Sequence, residues 1–410
     1  MKRHAAPAYI LPLLLFLSWT AGGIGKLSPL APKPDWSSLN AYQETITRQD
    51  FLQLLDKVYA PRGAWKESIA IHDQDALIQT HPGAAPFRLR FASSRATAKA
   101  IPSYWRSRRV LPPVKPGKPL AGLKITLDPG HLGGSWARME ERWFQISGKK
   151  PVTEGDMTLT VAKLLAPKLE KLGAKVSLTR SKAEPVTTLR PSRLKKTAAA
   201  SLADRDITPT AFHLQKERER LFYRVAEIRR RARLVNKTFR PDLVVCLHFN
   251  AEGWSNPAKP NLVDANHLHF LVAGAFSPEE LTYEDQRHEM LVKLLNRSFA
   301  EEIAVTDQVA SKMAAATKLP PFIYQGNNAI SVNHNSYIWA RNLLANRLFS
   351  CPVVYVEPYV MNSRIVFARI QAGDYKGLRK FGGVPRKSIY REYADAIVDG
   401  LVAYYSNRPL

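Results

Sequence analysis

Two short stretches, DLVVCLHF at 242–249 and CPVVYVE at 351–357, are apolar at nearly every position. A strand with one wet face alternates apolar and polar residues. A run without alternation must be covered on both faces, which is the condition of a strand inside a mostly parallel sheet flanked by helices. The surrounding chain supplies such helices. LKITLD at 123–128 is strand-like, residues 156–172 carry apolar side chains at helical spacing, and AKVSLTR at 174–180 is the next strand. A helix over 214–236 precedes DLVVCLHF, and HLHFLVAGAF at 267–276 follows it. Helical stretches near 285–304 and 306–316 lead to CPVVYVE, and an amphipathic helix closes the chain at 386–406. This alternation predicts an α/β fold: a three-layer α/β/α sandwich with a mostly parallel central sheet, preceded by a small N-terminal α+β unit.

The N-terminus has the form of an export signal. Lys2 and Arg3 precede an apolar run over 8–19, and small residues follow from Thr20 to Gly23. The run is shorter than the roughly 20 residues that a membrane span needs. Residues 1–25 are therefore read as a signal peptide cleaved between Ala21 and Lys26, with no stable membrane span afterwards and a periplasmic or extracellular destination. Residues 26–40, rich in proline and serine, read as a flexible leader. Residues 41–110 form a small unit of unknown role, in which apolar spacing from Phe51 to Val58 predicts a helix, followed by short strands. Four prolines in LPPVKPGKPL at 111–120 mark a stiff linker, and residues 121–410 form one larger domain of alternating strands and helices. Residues 181–211, basic and punctuated by proline, read as an inserted loop.

Cys246 and Cys351 are the only cysteines, so this is no disulfide scaffold. Both lie in apolar segments and read as buried thiols, with a single bridge between neighbouring strands left open. The formal charge of +25 falls to about +23 once the signal is removed. Such a field favours polyanions, and export together with the dispersed basic residues excludes nucleic acid in favour of an anionic envelope polymer. The densest basic run, Arg229, Arg230, Arg231 and Arg233, reads as the solvated face of an amphipathic helix.

Five polar residues stand where the predicted sheet places chemistry. His131 follows a strand end after Pro129 and Gly130. Glu154 opens a helix, where the helix dipole alone would also favour it, although Asp156 can fill that part with Thr153. His248 ends an apolar run in which an unpaired imidazole is costly, leaving a satisfied core histidine or a ligand. Asn250, two residues on, faces the same side and is a candidate for hydrogen bonding to substrate. Glu357 ends the last buried strand before Pro358, so it must be paired, ligated or catalytic. Two imidazoles and a carboxylate suit zinc with one position open to water, and a further carboxylate can carry a proton.

The segments LDPGH, TEGDMTL, AKVSLTR, RARLVN, PDLVVCLHFNA and PVVYVEPYVMNS resemble, in order, those of the zinc-dependent N-acetylmuramoyl-L-alanine amidases, over roughly the last 285 residues. The resemblance implies that His131, Glu154 and His248 hold Zn2+ and that Glu357 is the catalytic acid/base. It implies cleavage, in peptidoglycan, of the amide between the lactyl group of N-acetylmuramic acid and L-alanine. Apart from the resemblance, a protein regulator is a candidate partner. This chain departs from the family pattern at Leu132, which replaces a glycine, at Phe249, and at Pro358-Tyr359. It also carries a long insert over 135–152 with Trp136, Trp143 and Phe144, suited to stacking on sugar rings or to packing on itself. The stretch QGNNAISVNHNSY at 325–337 is expected to line the groove, with His334 exposed rather than ligating. A zinc amidase or peptidase acting on another envelope substrate, and a non-catalytic wall-binding protein, are the alternative readings.

Overall fold

The computed structural model describes residues 25–254, 256 and 259–408. The signal peptide read over 1–25 thus lies almost wholly outside the described residues, within which no helix is long and apolar enough to cross a membrane. Among the described residues there are fourteen strands: β1 Ile69–Ile71, β2 Asp75–Ile78, β3 Phe87–Arg90, β4 Lys124–Pro129, β5 Trp143–Phe144, β6 Val152–Thr153, β7 Lys175–Leu178, β8 Leu243–Leu247, β9 Leu268–Val272, β10 Ile330–Ser331, β11 Ile338–Ala340, β12 Val353–Pro358, β13 Arg379–Phe381 and β14 Val384–Arg386.

Seven of these form the central sheet in the order β10-β11-β9-β12-β8-β4-β7. Four junctions are parallel, while β9 with β12 and β10 with β11 are antiparallel. The sheet is mostly parallel, as its apolar strands predict. Strand β8 shows why no alternation was visible. Leu243, Val245 and Leu247 face one hydrophobic cluster, while Val244 and Cys246 face another built on Ala232, Val235, Phe349 and Val353. On the first face lie the helices Glu154–Lys171, Phe299–Thr317 and Ile389–Tyr405. Both cysteines are buried and free.

Three local expectations differ from the structure. The stretch 181–211 is not all loop, because Lys195–Ala203 is a helix. Its alanines favour helix, and Ala198 packs with Leu194 against Leu221 and Phe222 of the following helix. That next helical run extends from Ala211 to Phe239, with two π-helical stretches inside it. The break expected near 305 falls instead between Leu295 and Phe299, where Arg297 is left-handed and the Asn296 amide donates to the Ser350 carbonyl.

The N-terminal unit pairs β1, β2 and β3 in one antiparallel sheet. Its Phe51, Leu55 and Tyr59 join the same hydrophobic cluster as the central sheet. The leader, expected to be flexible, is tied to helix Glu284–Leu295: Leu27 N–H donates to Asp285 at 2.9 Å and Trp36 Nε1 to Glu284 at 2.9 Å.

Candidate metal centre

The loop after β4 is shaped before any ligand is considered. His131 has φ of 60°, a left-handed conformation that is unfavourable for a residue with a side chain and must be held by its surroundings. Two buried arginines hold it through backbone carbonyls. Arg231 donates to the Pro129 oxygen at 2.7 Å and the His131 oxygen at 2.9 Å, and Arg180 donates to Pro129 at 3.0 Å and Gly130 at 3.1 Å. Arg231 is itself paired with Asp128 at 3.2 Å and Glu227 at 2.9 Å. The basic run around it is therefore a solvated face only in part, with Arg233 exposed and Arg230 half-buried. Arg231 is 4% exposed, and Arg229 pairs with Glu289 at 2.8 Å. Helical spacing brings Glu227 beside Arg231, but it could not reveal Asp128 and Glu289, which are distant in sequence.

Glycine is required at two points of this loop. A Cβ on Gly130 would lie 2.2 Å from Cε1 of His248, so glycine admits that imidazole. A Cβ on Gly155 would lie 1.9 Å from the Leu132 carbonyl, so glycine lets the helix start press against the loop. Thr153 does not cap this helix. Its hydroxyl donates to Asp156 at 2.6 Å, and the Asp156 carboxylate accepts the Gly134 N–H at 3.0 Å. Asp156 thus ties the helix to the loop, and Glu154 turns elsewhere.

His131, Glu154 and His248 each offer an atom within 4.8 Å of the others. Nε2 of His131 lies 3.3 Å from Oε2 of Glu154, and Nδ1 of His248 lies 3.3 Å from Oε1. Atoms about 2.0–2.1 Å from a tetrahedral ion stand about 3.3 Å apart, so the donor types fit zinc and each imidazole–carboxylate contact has the spacing of a ligand pair, through a different oxygen of Glu154. Neighbouring groups hold these three side chains in place. Glu140 accepts from Nδ1 of His131 at 2.7 Å, directing Nε2 inward, and also accepts the Leu132 N–H at 2.6 Å. Glu154 accepts the Phe249 N–H at 3.0 Å. The His248 ring stacks on Tyr355 with centroids 4.5 Å apart. Burial opposes ionisation of Glu154, yet the two imidazoles and Arg142 outweigh it and hold the carboxyl below its ordinary range. Glu140 follows the same balance through burial, His131 and the Leu132 N–H.

Glu357 ends β12 and lines a cleft of about 460 Å³ with His131, Glu154, Asn250 and Arg142. Desolvation, reinforced by the nearby Glu154 charge, raises its pKa above the ordinary carboxylate value. Asn250 accepts the Ala251 N–H at 2.8 Å through its side-chain oxygen. None of residues 325–337 lines this cleft, contrary to expectation, and His334 is exposed. The flanking Phe322, Tyr324 and Arg341 take that place.

The insert over 135–152 packs its aromatics on the protein. Trp136 meets Phe222 at 5.4 Å, Arg138 lies 3.9 Å over Trp143, and Phe144 meets Trp254 at 5.4 Å. Its polar residues reach the site instead. Glu140 buttresses His131, and Arg142 stands 3.5 Å from Glu154. Sequence reasoning missed both, since aromatic residues drew attention to the insert and nothing local marks which of its charges turn inward.

A family model described as N-acetylmuramoyl-L-alanine amidase matches residues 125–378. No curated protein matches the chain. Similar solved structures include the N-acetylmuramyl-L-alanine amidase Ami1 of Mycobacterium abscessus, 19% identical, with a TM-score of 0.39, covering 69% of this chain and 99% of that one. Another is the amidase AmiC2 of Nostoc punctiforme, 15% identical, with a TM-score of 0.36 and coverages of 69% and 96%.

Proposed function

This chain belongs to the N-acetylmuramoyl-L-alanine amidase family and is a cell-wall hydrolase, and from that premise we propose how its residues divide the work. His131, Glu154 and His248 hold a zinc ion, and Glu357 acts as the general acid/base. The bond cut is the amide between N-acetylmuramic acid and L-alanine of peptidoglycan, reached outside the cytoplasm after export. The observation that carries the division is the convergence of three ligand atoms within 4.8 Å at the carboxyl edge of the sheet, with Glu357 lining the same cleft.

Zinc bound there supplies Lewis acidity to the amide carbonyl and to a water molecule. The chain's own contribution is positional. Arg231 and Arg180 fix the loop that carries His131, Glu140 fixes the orientation of its ring, and Tyr355 fixes that of His248. Glu357, whose pKa is raised by desolvation and by the nearby Glu154 charge, is suited to take a proton from water and pass it to the departing amine. Asn250 serves as a hydrogen-bonding residue for substrate.

Digestion of purified peptidoglycan with and without a chelator tests this reading. Stem peptides with a free L-alanine amine should appear only without chelator. Glu357→Ala should keep its zinc while hydrolysis falls roughly 10²–10⁴-fold, the range typical of a lost general acid/base. Full lytic activity in that variant would sink the assignment of Glu357.

A further inference from the structure

Beside the metal residues, the cleft has a second polar wall that amide hydrolysis itself does not use. It begins at the acid/base, because His269 sits in register with Glu357 in the antiparallel pairing of β9 and β12. Nε2 of His269 lies 3.1 Å from the Tyr324 hydroxyl, and Nη1 of Arg341, just past β11, donates to that hydroxyl at 3.3 Å. All three residues line the cleft. His269 is 3% exposed, and its Nδ1 has no hydrogen-bond partner among the described residues. A buried polar atom left in that state is costly unless a ligand or water answers it. Burial, together with His267 and Arg341 nearby, lowers the pKa of His269 to about 3, so the positive charge of this wall is that of Arg341.

Arg341 has no carboxylate within 4.0 Å among the described residues, and neither does Arg224, which also lines the cleft. Arg142, on the same cleft, stands 3.5 Å from Glu154. The chain pairs arginines freely elsewhere, as at Arg231 and Arg229. Arg142, Arg224 and Arg341 thus bring three guanidinium groups to a cleft that holds two carboxylates, Glu154 and Glu357, with Arg224 on its exposed rim. A guanidinium with an adjoining hydroxyl matches a carboxylate in shape and in donors. The substrate narrows the choice of anion. In a muramoyl-alanine amide the lactyl carboxyl is consumed in the bond to be cut, so a free carboxylate near that bond can come only from the peptide.

We propose that Arg341, with Tyr324 and His269, forms a subsite for a carboxylate of the stem peptide close to the scissile amide. This rests on the amidase reading and adds to it a preference: stems whose carboxylate is free over stems in which it is amidated.

The test uses the full zinc-loaded chain and two soluble muropeptides that differ only in whether the stem carboxylate nearest L-alanine is free or is a primary amide. Wild type should favour the free acid by about tenfold in kcat/KM, the scale of one charge-assisted hydrogen bond, with the difference residing in KM. Arg341→Gln should bring that ratio to about one, and Arg341→Lys should restore part of it. Tyr324→Phe, which removes only a hydroxyl, should lower the ratio about threefold, an effect of under 1 kcal/mol at the usual 1.4 kcal/mol per tenfold. Wild type without a preference, or a ratio unchanged in Arg341→Gln, overturns the subsite and leaves the amidase reading standing. Cleavage of neither substrate by zinc-loaded wild type overturns both.

Discussion

Two buried polar clusters sit on this fold, and they differ in where their hydrogen-bonding capacity goes. Lys293 and Glu302, each 1% exposed at the side chain, pair at 2.8 Å. The ammonium also donates to the carbonyls of Phe349 at 3.2 Å and Cys351 at 2.9 Å, which accounts for all three of its protons. Glu302 accepts the N–H groups of Ala273 and Val353 besides. Every polar atom there is answered from within. In the cluster of His131, Glu154 and His248, Glu140 answers Nδ1 of His131, the Phe249 N–H shares Oε1 of Glu154 with His248, and each imidazole faces the carboxylate at 3.3 Å. Saturation marks the first as a support for the fold. Convergence marks the second as the candidate metal site.

The contrast can be tested from both sides. Lys293→Met should lower the free energy of unfolding by about 3–5 kcal/mol, because it strands a buried carboxylate, while leaving zinc content per folded molecule unchanged. Denaturant titration with metal analysis reads both, and a stable variant would show that the pair is dispensable. Glu154→Gln should do the reverse. Zinc affinity should fall at least about 100-fold, beyond the roughly 10–100-fold typical of losing an outer partner, when measured by chelator competition. The amide can still accept the Phe249 N–H, so the metal-free variant should unfold within about 1 kcal/mol of wild type. Destabilisation as large as that of Lys293→Met would erase the distinction between the clusters. The smallest effect should come from Glu140→Gln, about 10–100-fold in zinc affinity with the fold retained. Unchanged affinity would reduce the contact of Glu140 with His131 to loop anchoring.

Much of this was legible in the chain. The uninterrupted apolar run of β8 reported a strand covered on both faces, and Val244 and Val245 do point into opposite clusters. The ends of β4, β8 and β12 located His131, His248 and Glu357, because side chains just past a strand end are local consequences of the strand itself. The antiparallel placement of β9 was not legible, since a fully buried strand has the same pattern in either direction. Arg231 was misread for a related reason. Helical spacing placed it in a polar run, whereas Asp128, about a hundred positions away, draws it inward.

The sequence by itself determined the layers of the fold, the elements that carry or adjoin His131, Glu154 and His248, and the residue types able to hold a metal, all of which follow from local periodicity and side-chain chemistry. Only the tertiary structure decided which polar groups are saturated and which converge. Glu140 and Arg142 reach the site from an insert noticed for its tryptophans, and the wall of Arg341, Tyr324 and His269 exists only where β9, β11 and the segment after residue 320 meet. Hydrogen bonds of this kind form across elements distant in the chain, so their partners are fixed by packing and leave no periodic trace.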